Sequence, residues 1–392
     1  MALPITIDTS AGRKGHHPPF KSSGGNFYAV VNSSFAGELQ AKKATDPADS
    51  WTEQDAAGNP TVNFTGFSAV QGSDVIHIVS WTALGTYTYH QFNMATDNWD
   101  VVDEEIDAPA DDPTFPWASI AVRSDGDVVV VYAGDTDAVM GSKKERVDYN
   151  VRTGTTWGGP VSLDTAGDVH FGNPNVVKGP LTDDMHILWQ ATADTADPPV
   201  SWEALEARTL DPSNVLSTLN VGVGATTTGN MLGYGSNPVS YDDAGTQRII
   251  LAGTGAALKR IILSTEDASD DIVLDTVIGD LQDPDPGPNG EVGIMTLVEL
   301  DGDLHMLYRG DTDLDIYYTT STDDGNNWAV PVEEIDAITV NFISANIYVR
   351  GADTVMAYVY DSFGVQVYNE KVLIPGDTGA ITATAALAFT AT

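Results

Sequence analysis

The 392-residue chain contains no cysteine. Disulfides, thiolate metal sites and a cysteine nucleophile are therefore excluded. Basic residues are scarce as well: 18 Lys and Arg stand against 56 Asp and Glu, a formal net charge of −38. Binding to nucleic acid or anionic membranes is driven by basic side chains on phosphate, so neither is an expected partner. No apolar run approaches the 18 residues that span a bilayer, so no membrane insertion is expected. The N-terminus has no charged segment followed by an apolar stretch, so no secretory signal is expected. The seven histidines form no H-E-x-x-H pattern, and only His16 and His17 are adjacent.

What is present is hydrophobic content of 42%, too much for a disordered chain. Short apolar runs recur at residues 26–31, 74–81, 127–134, 184–189, 247–252, 303–308 and 354–360. Their starts are separated by 48, 53, 57, 63, 56 and 51 residues. Near-even spacing along a whole chain marks a repeat architecture. Residues 124–137 and 300–313 align closely, each with an Asp-Gly turn suited to a tight hairpin. Each unit reads as strands only, and nowhere does a 3.6-residue period persist. The expected fold is an all-β, seven-bladed β-propeller of four-stranded antiparallel blades. It would occupy residues 1–374, the N-terminal strand closing the ring, with 375–392 left as a Thr/Ala-rich arm.

One turn carries a motif. Ser321, Asp323, Gly325 and Trp328 form S-x-D-x-G-x-x-W. Gly supplies positive φ, Asp accepts backbone N–H groups, and Trp packs the turn against its sheet. Weaker copies end at Trp51, Trp99 and Trp157. The motif resembles the Asp-box of sialidase-like (BNR) propellers. The resemblance implies a structural role for these four residues, on the face opposite the ligand face. It places on the ligand face the loops entering each inner strand and those joining second to third strands. The candidate ligand residues are then His16, His17, Trp117, His170, Tyr234 and Arg309. Sialidase activity would also require a Phe/Tyr-Arg-Ile-Pro motif, and the nearest segment here is Pro19-Phe20-Lys21. The sialidase catalytic set is therefore absent, and no catalytic residue is assigned.

Asp311, Asp313 and Asp315 alternate in one such loop and offer oxygen ligands to Ca²⁺. No other cofactor is expected. Three functional classes remain open. One is a non-catalytic structural or attachment component of a virion (phage surface or tail) or other extracellular assembly, with neighbouring subunits and glycan as partners. Another is a glycoside hydrolase or lyase of the sialidase-like type. The last is a protein-interaction scaffold. The first two place the chain on a virion or outside the cell without a Sec signal, and the last places it in the cytoplasm.

Overall fold

In the computed structural model, the residues described are 3–9, 15–32, 38–61, 64–83, 85–107, 117–135, 145–163, 170–192, 204–222, 238–243, 246–255, 258–266, 272–280, 295–310, 315–325, 327–336, 340, 342–350, 353–362 and 364–373. Among them are 29 strands and one 3₁₀ turn, Ala56–Gly58. Among the described residues, no helix is long and apolar enough to cross a membrane. Tyr234, Asp311, Asp313 and the arm 375–392 lie outside the described residues.

The strands form a β-propeller of antiparallel sheets. Six blades are each built from strands consecutive in sequence. A closing sheet joins Ile343–Arg350, Asp353–Ser362 and Val365–Leu373 to the N-terminal strand Ile5–Asp8, with Ile5 opposite Tyr368 and Asp8 opposite Gln366. The expectation of seven equivalent four-stranded blades is corrected: only six of the sheets have four strands, and the third has five. Its outer edge arrives in two pieces, Thr156–Trp157 and Val161–Ser162, both paired with Glu145–Thr153. The break falls at Gly158, Gly159 and Pro160. Gly159 takes φ 97°, and proline cannot donate to the ladder.

Why the marker runs are apolar throughout is visible in the third blade. Val128, Val130 and Tyr132 point into a cluster shared with the second blade, including Trp81, Tyr87 and Trp117. Val129 and Val131 point the other way, into a cluster with Met185, Ile187 and Trp189 of the fourth. A strand wedged between two neighbours buries both faces, so strict alternation with polar residues disappears.

Around the axis the inner strands are stitched by side-chain hydroxyls. Ser68 accepts from His16 N (3.3 Å) and donates to Ala118 O (2.9 Å). Ser119 accepts from Val176 N, Ser240 donates to Lys178 O, and Thr296 accepts from Ala345 N. Ser344 accepts from His17 N at 2.9 Å. Each hydroxyl satisfies a backbone group that the neighbouring blade cannot pair within its own sheet. Ser344→Ala is expected to cost about 2 kcal/mol, because it orphans a buried N–H as well as losing a bond. Urea unfolding of the variant measures this.

Candidate functional site

The inner strands enclose a cavity of about 300 Å³. Its apolar wall includes Phe20, Val70, Val239, Leu297, Val298 and Ile347, and its polar groups are His16, Gln71, Ser240, Glu299 and Asn346. Among the described residues, no Lys or Arg lines it.

His16 is placed by the segment that precedes the first blade. Pro18 and Pro19 lack N–H donors, and the inner strand shrinks to Phe20–Lys21. The residues before it run along the second and closing blades instead. Ala69 N donates to His16 O, and Gly15 presses so closely on Phe67 that a Cβ there would come within 1.8 Å of Phe67 O. Only glycine fits at that approach, and its φ is 131°.

Ser344 Oγ accepts from His17 N and also pairs with His16 Nδ1, both at 2.9 Å, which engages one nitrogen of the His16 ring. Burial, with His17 adding repulsion, pulls His16 down to about 3, so the ring is neutral at pH 7. Glu299 is shifted the other way. Burial raises its carboxyl, and Asp301 and Asp303 add to the rise, against one stabilising bond from Gly302 N to Oε1 at 2.6 Å. Gln71 is occupied in joining the first two blades, through Lys21 O (2.8 Å) and Ser73 O (2.7 Å). Asn346 is held by Tyr348 OH and Ile347 N.

The cavity therefore presents an apolar wall, a neutral imidazole and a half-buried carboxyl.

Of the other candidate ligand residues, His17, Trp117 and Arg309 are not among the residues lining this cavity. His17 is buried between Phe67 and Phe342, with ring centroids at 4.2 and 4.3 Å, and packs the junction of the first, second and closing blades. Trp117 is buried against Trp81 at 5.2 Å. Arg309 donates to Val340 O at 2.8 Å, holding the link into the closing blade. His170 begins the strand His170–Lys178, opposite Thr192.

Asp315 is buried, and its carboxylate lies within 4.8 Å of those of Glu333 and Asp336, which are exposed. Glu333 and Asp336 come from the neighbouring outer strand, and no spacing within the Asp311–Asp315 run points to them. Across the sheet, Ser321 Oγ bonds Asp323 Oδ1 and accepts from Gly325 N, both at 2.9 Å. Trp328 Nε1 donates to Gly325 O at 3.0 Å. These bonds lock the turn.

No protein-family model and no curated protein matches the chain. Solved structures do match it in fold. An ulvan lyase of polysaccharide lyase family PL25, bound to -[GlcA(1-4)Rha3S]-, has a TM-score of 0.57 at 12% identity, covering 93% of this chain and 95% of its own. The polysaccharide lyase Uly1 also gives 0.57, at 8% identity over 95% and 99%. The lectin BP39L from Burkholderia pseudomallei gives 0.54, at 12% identity over 94% and 100%. At these identities the likeness is one of fold: a β-propeller.

Proposed function

We propose that the protein is a non-catalytic, carbohydrate-binding β-propeller that takes a neutral sugar unit into its axial cavity. In this reading it is an attachment component of a virion or other extracellular assembly and presents that cavity to host glycans. The observation that carries the reading is the cavity's composition. An apolar wall suits the C–H face of a sugar ring, while the His16 imidazole and the Glu299 carboxyl offer polar partners for hydroxyls. A lining without Lys or Arg, in a chain of net charge −38, disfavours uronates and sulfated sugars. That a lectin and two polysaccharide lyases share the fold supports carbohydrate as the ligand class.

The test is a neutral-glycan array followed by titration calorimetry. His16→Ala is expected to weaken binding about tenfold, the worth of one well-placed hydrogen bond. Failure of the wild type to bind any neutral glycan would refute the proposal.

A second reading, a glycoside hydrolase or lyase, is favoured by one specific observation. Two titratable groups of one cavity are displaced in opposite directions, Glu299 upward and His16 downward, as acid–base pairs are. Products accumulating from a polysaccharide with the wild type, and vanishing with Glu299→Gln, would establish that reading over the first.

A further inference from the structure

We infer that the axial cavity is blind at the starts of the inner strands and opens on the face of the first-to-second-strand hairpins, so that it admits the end unit of a glycan chain and not an internal one. That the ligand is a glycan rests on the proposed function; the direction of the opening does not. The Asp-box resemblance implies the opposite face, among the loops entering the inner strands. The hairpin face is also that of the Ser321–Trp328 turn, because turns joining third to fourth strands fall at the same end of an antiparallel blade as those joining first to second. The bonds agree. Arg123, just past the inner strand Ala118–Val122 of the third blade, donates to Asn214 Oδ1 (2.8 Å) and Asp211 O (2.7 Å), in the third-to-fourth turn of the fourth.

The lining is offset along the strands. Gly66–Gly72 of the second blade lines the cavity from Ala69 onward, Met295–Leu300 of the sixth from Leu297 onward, and Ile343–Arg350 of the closing blade from Ala345 onward. The same three strands are buried at their starts and part-exposed or exposed towards their hairpins. Aromatic rings build the blind end. Phe67 and Phe342, ahead of the first lining residues of their blades, grip His17 with ring centroids at 4.2 and 4.3 Å, and all three are buried. His16 is held beside this tier. Its N bonds Ser68 Oγ and its ring bonds Ser344 Oγ, each one residue before Ala69 and Ala345.

At the other end, polar lining groups are tied to the hairpins themselves. Glu299 Oε1 accepts from Gly302 N at 2.6 Å, and Gln71 Nε2 donates to Ser73 O at 2.7 Å. These hairpins are two-residue turns, Ser73-Asp74 and Asp301-Gly302, with Gly72 opposite Val75 and Leu300 opposite Asp303. Turns of that length double straight back and cannot fold over the axis. A ligand entering here passes Glu299 first and reaches His16 last. A pocket closed at its inner end accepts a chain terminus, because an internal unit needs an exit for the chain on both sides.

The experiment treats the full chain at pH 7 with diethyl pyrocarbonate, which acylates neutral imidazole, and reads the sites and rates by mass spectrometry. The chain has no cysteine to compete. His16 is expected to react while buried His17 is spared. Ile347→Trp, at a part-exposed wall residue on the hairpin side, should slow His16 about tenfold by filling the mouth of the pocket. Thr65→Trp, at an exposed residue just ahead of the second blade's inner strand, should leave the rate unchanged. Misfolding of Ile347→Trp would show as modification of His17, and Glu299→Trp then takes its place. An unmodified His16, a rate that neither mouth variant slows, or slowing by Thr65→Trp would overturn the inference. The labelling needs no sugar, so it can fail while carbohydrate binding stands, and stand while the glycan array fails. For a neutral glycan that binds, equally tight binding of its cyclised chain, which has no end, would overturn the end-unit assignment alone.

Discussion

Acidification from pH 7 to pH 5 will lower the melting temperature steeply, well before the carboxylates titrate. Four histidines are held neutral inside the fold. Burial pulls His16 and His90 down to about 3, and His77 and His305 to about 4. His17, Arg152 and Lys371 add repulsion at His16, His77 and His305 respectively. In the unfolded chain each titrates near 6.5. Below that pH the unfolded state takes up protons that the folded state refuses, so stability is lost as pH falls from about 6.5 towards 4. At pH 5 the loss is on the order of 1–2 kcal/mol per histidine. Four such losses rival the whole stability of an ordinary domain.

Asp183, lowered to about 2 by Lys178 and Ser124, belongs to a different window. Its contribution persists above its ordinary value and disappears only as pH falls from about 4 to 2. Asp148 and Glu299, shifted up, oppose the trend by gaining protons while folded. His305→Gln, which can keep the bond to Tyr318, should flatten the slope by about a quarter. Thermal melts at pH 7, 6 and 5 decide the matter, and a constant midpoint would show the histidines to be solvated.

Removing residues 1–9 is expected to cost about 4–6 kcal/mol and to leave a protein that aggregates. Ile7 is buried in a cluster with Ala29, Val31, Phe342, Ala357, Val359 and Tyr368, and its loss alone is worth about 2–3 kcal/mol. The paired ladder with Val365–Leu373 adds about 1 kcal/mol per bond. The ion pair between Asp8 and Lys42, at 3.1 Å, ties this strand to the first blade as well. What remains would be an open sheet edge beside an uncovered apolar seam, a template for pairing with other molecules. Size-exclusion chromatography and urea unfolding provide the readout. A monomer of unaltered stability would mean that the ring closes through the inner contacts alone.

Much of the architecture was legible because its signals are local. The Asp-Gly turns form as expected, with Gly126 at φ 94° and Asp301 and Gly302 at 53° and 90°. Trp328 folds back onto its own turn, and the apolar runs are the strands buried on both faces. The irregular third sheet was missed, although Gly158-Gly159-Pro160 is a readable breaker in an expected fourth strand. The site was far less legible. His16 and His17 are adjacent and chemically identical in sequence, yet one lines the axial cavity and the other is packed between two phenylalanines. What separates them is the position of Ser344, more than three hundred residues away. Glu299 reads as an ordinary hairpin acid until the cavity is seen beside it.

Two of the seams are built to one plan. In the second blade His77 bonds the Tyr89 hydroxyl at 2.7 Å, Arg152 of the next blade covers the Tyr89 ring, and Glu104 takes Arg152 through two nitrogens. In the sixth, His305, Tyr318, Lys371 of the closing blade and Glu334 repeat the arrangement, with a single ammonium contact. Each is a four-part lock whose pieces come from separate strands. No piece can drift alone: a change of acid strands a cation, and a change of cation uncovers an aromatic face. Such sets are expected to wander through sequence space as quartets, while the acidic exterior around them varies freely. The Arg-for-Lys exchange between the two locks is one such step, carried on a single polypeptide.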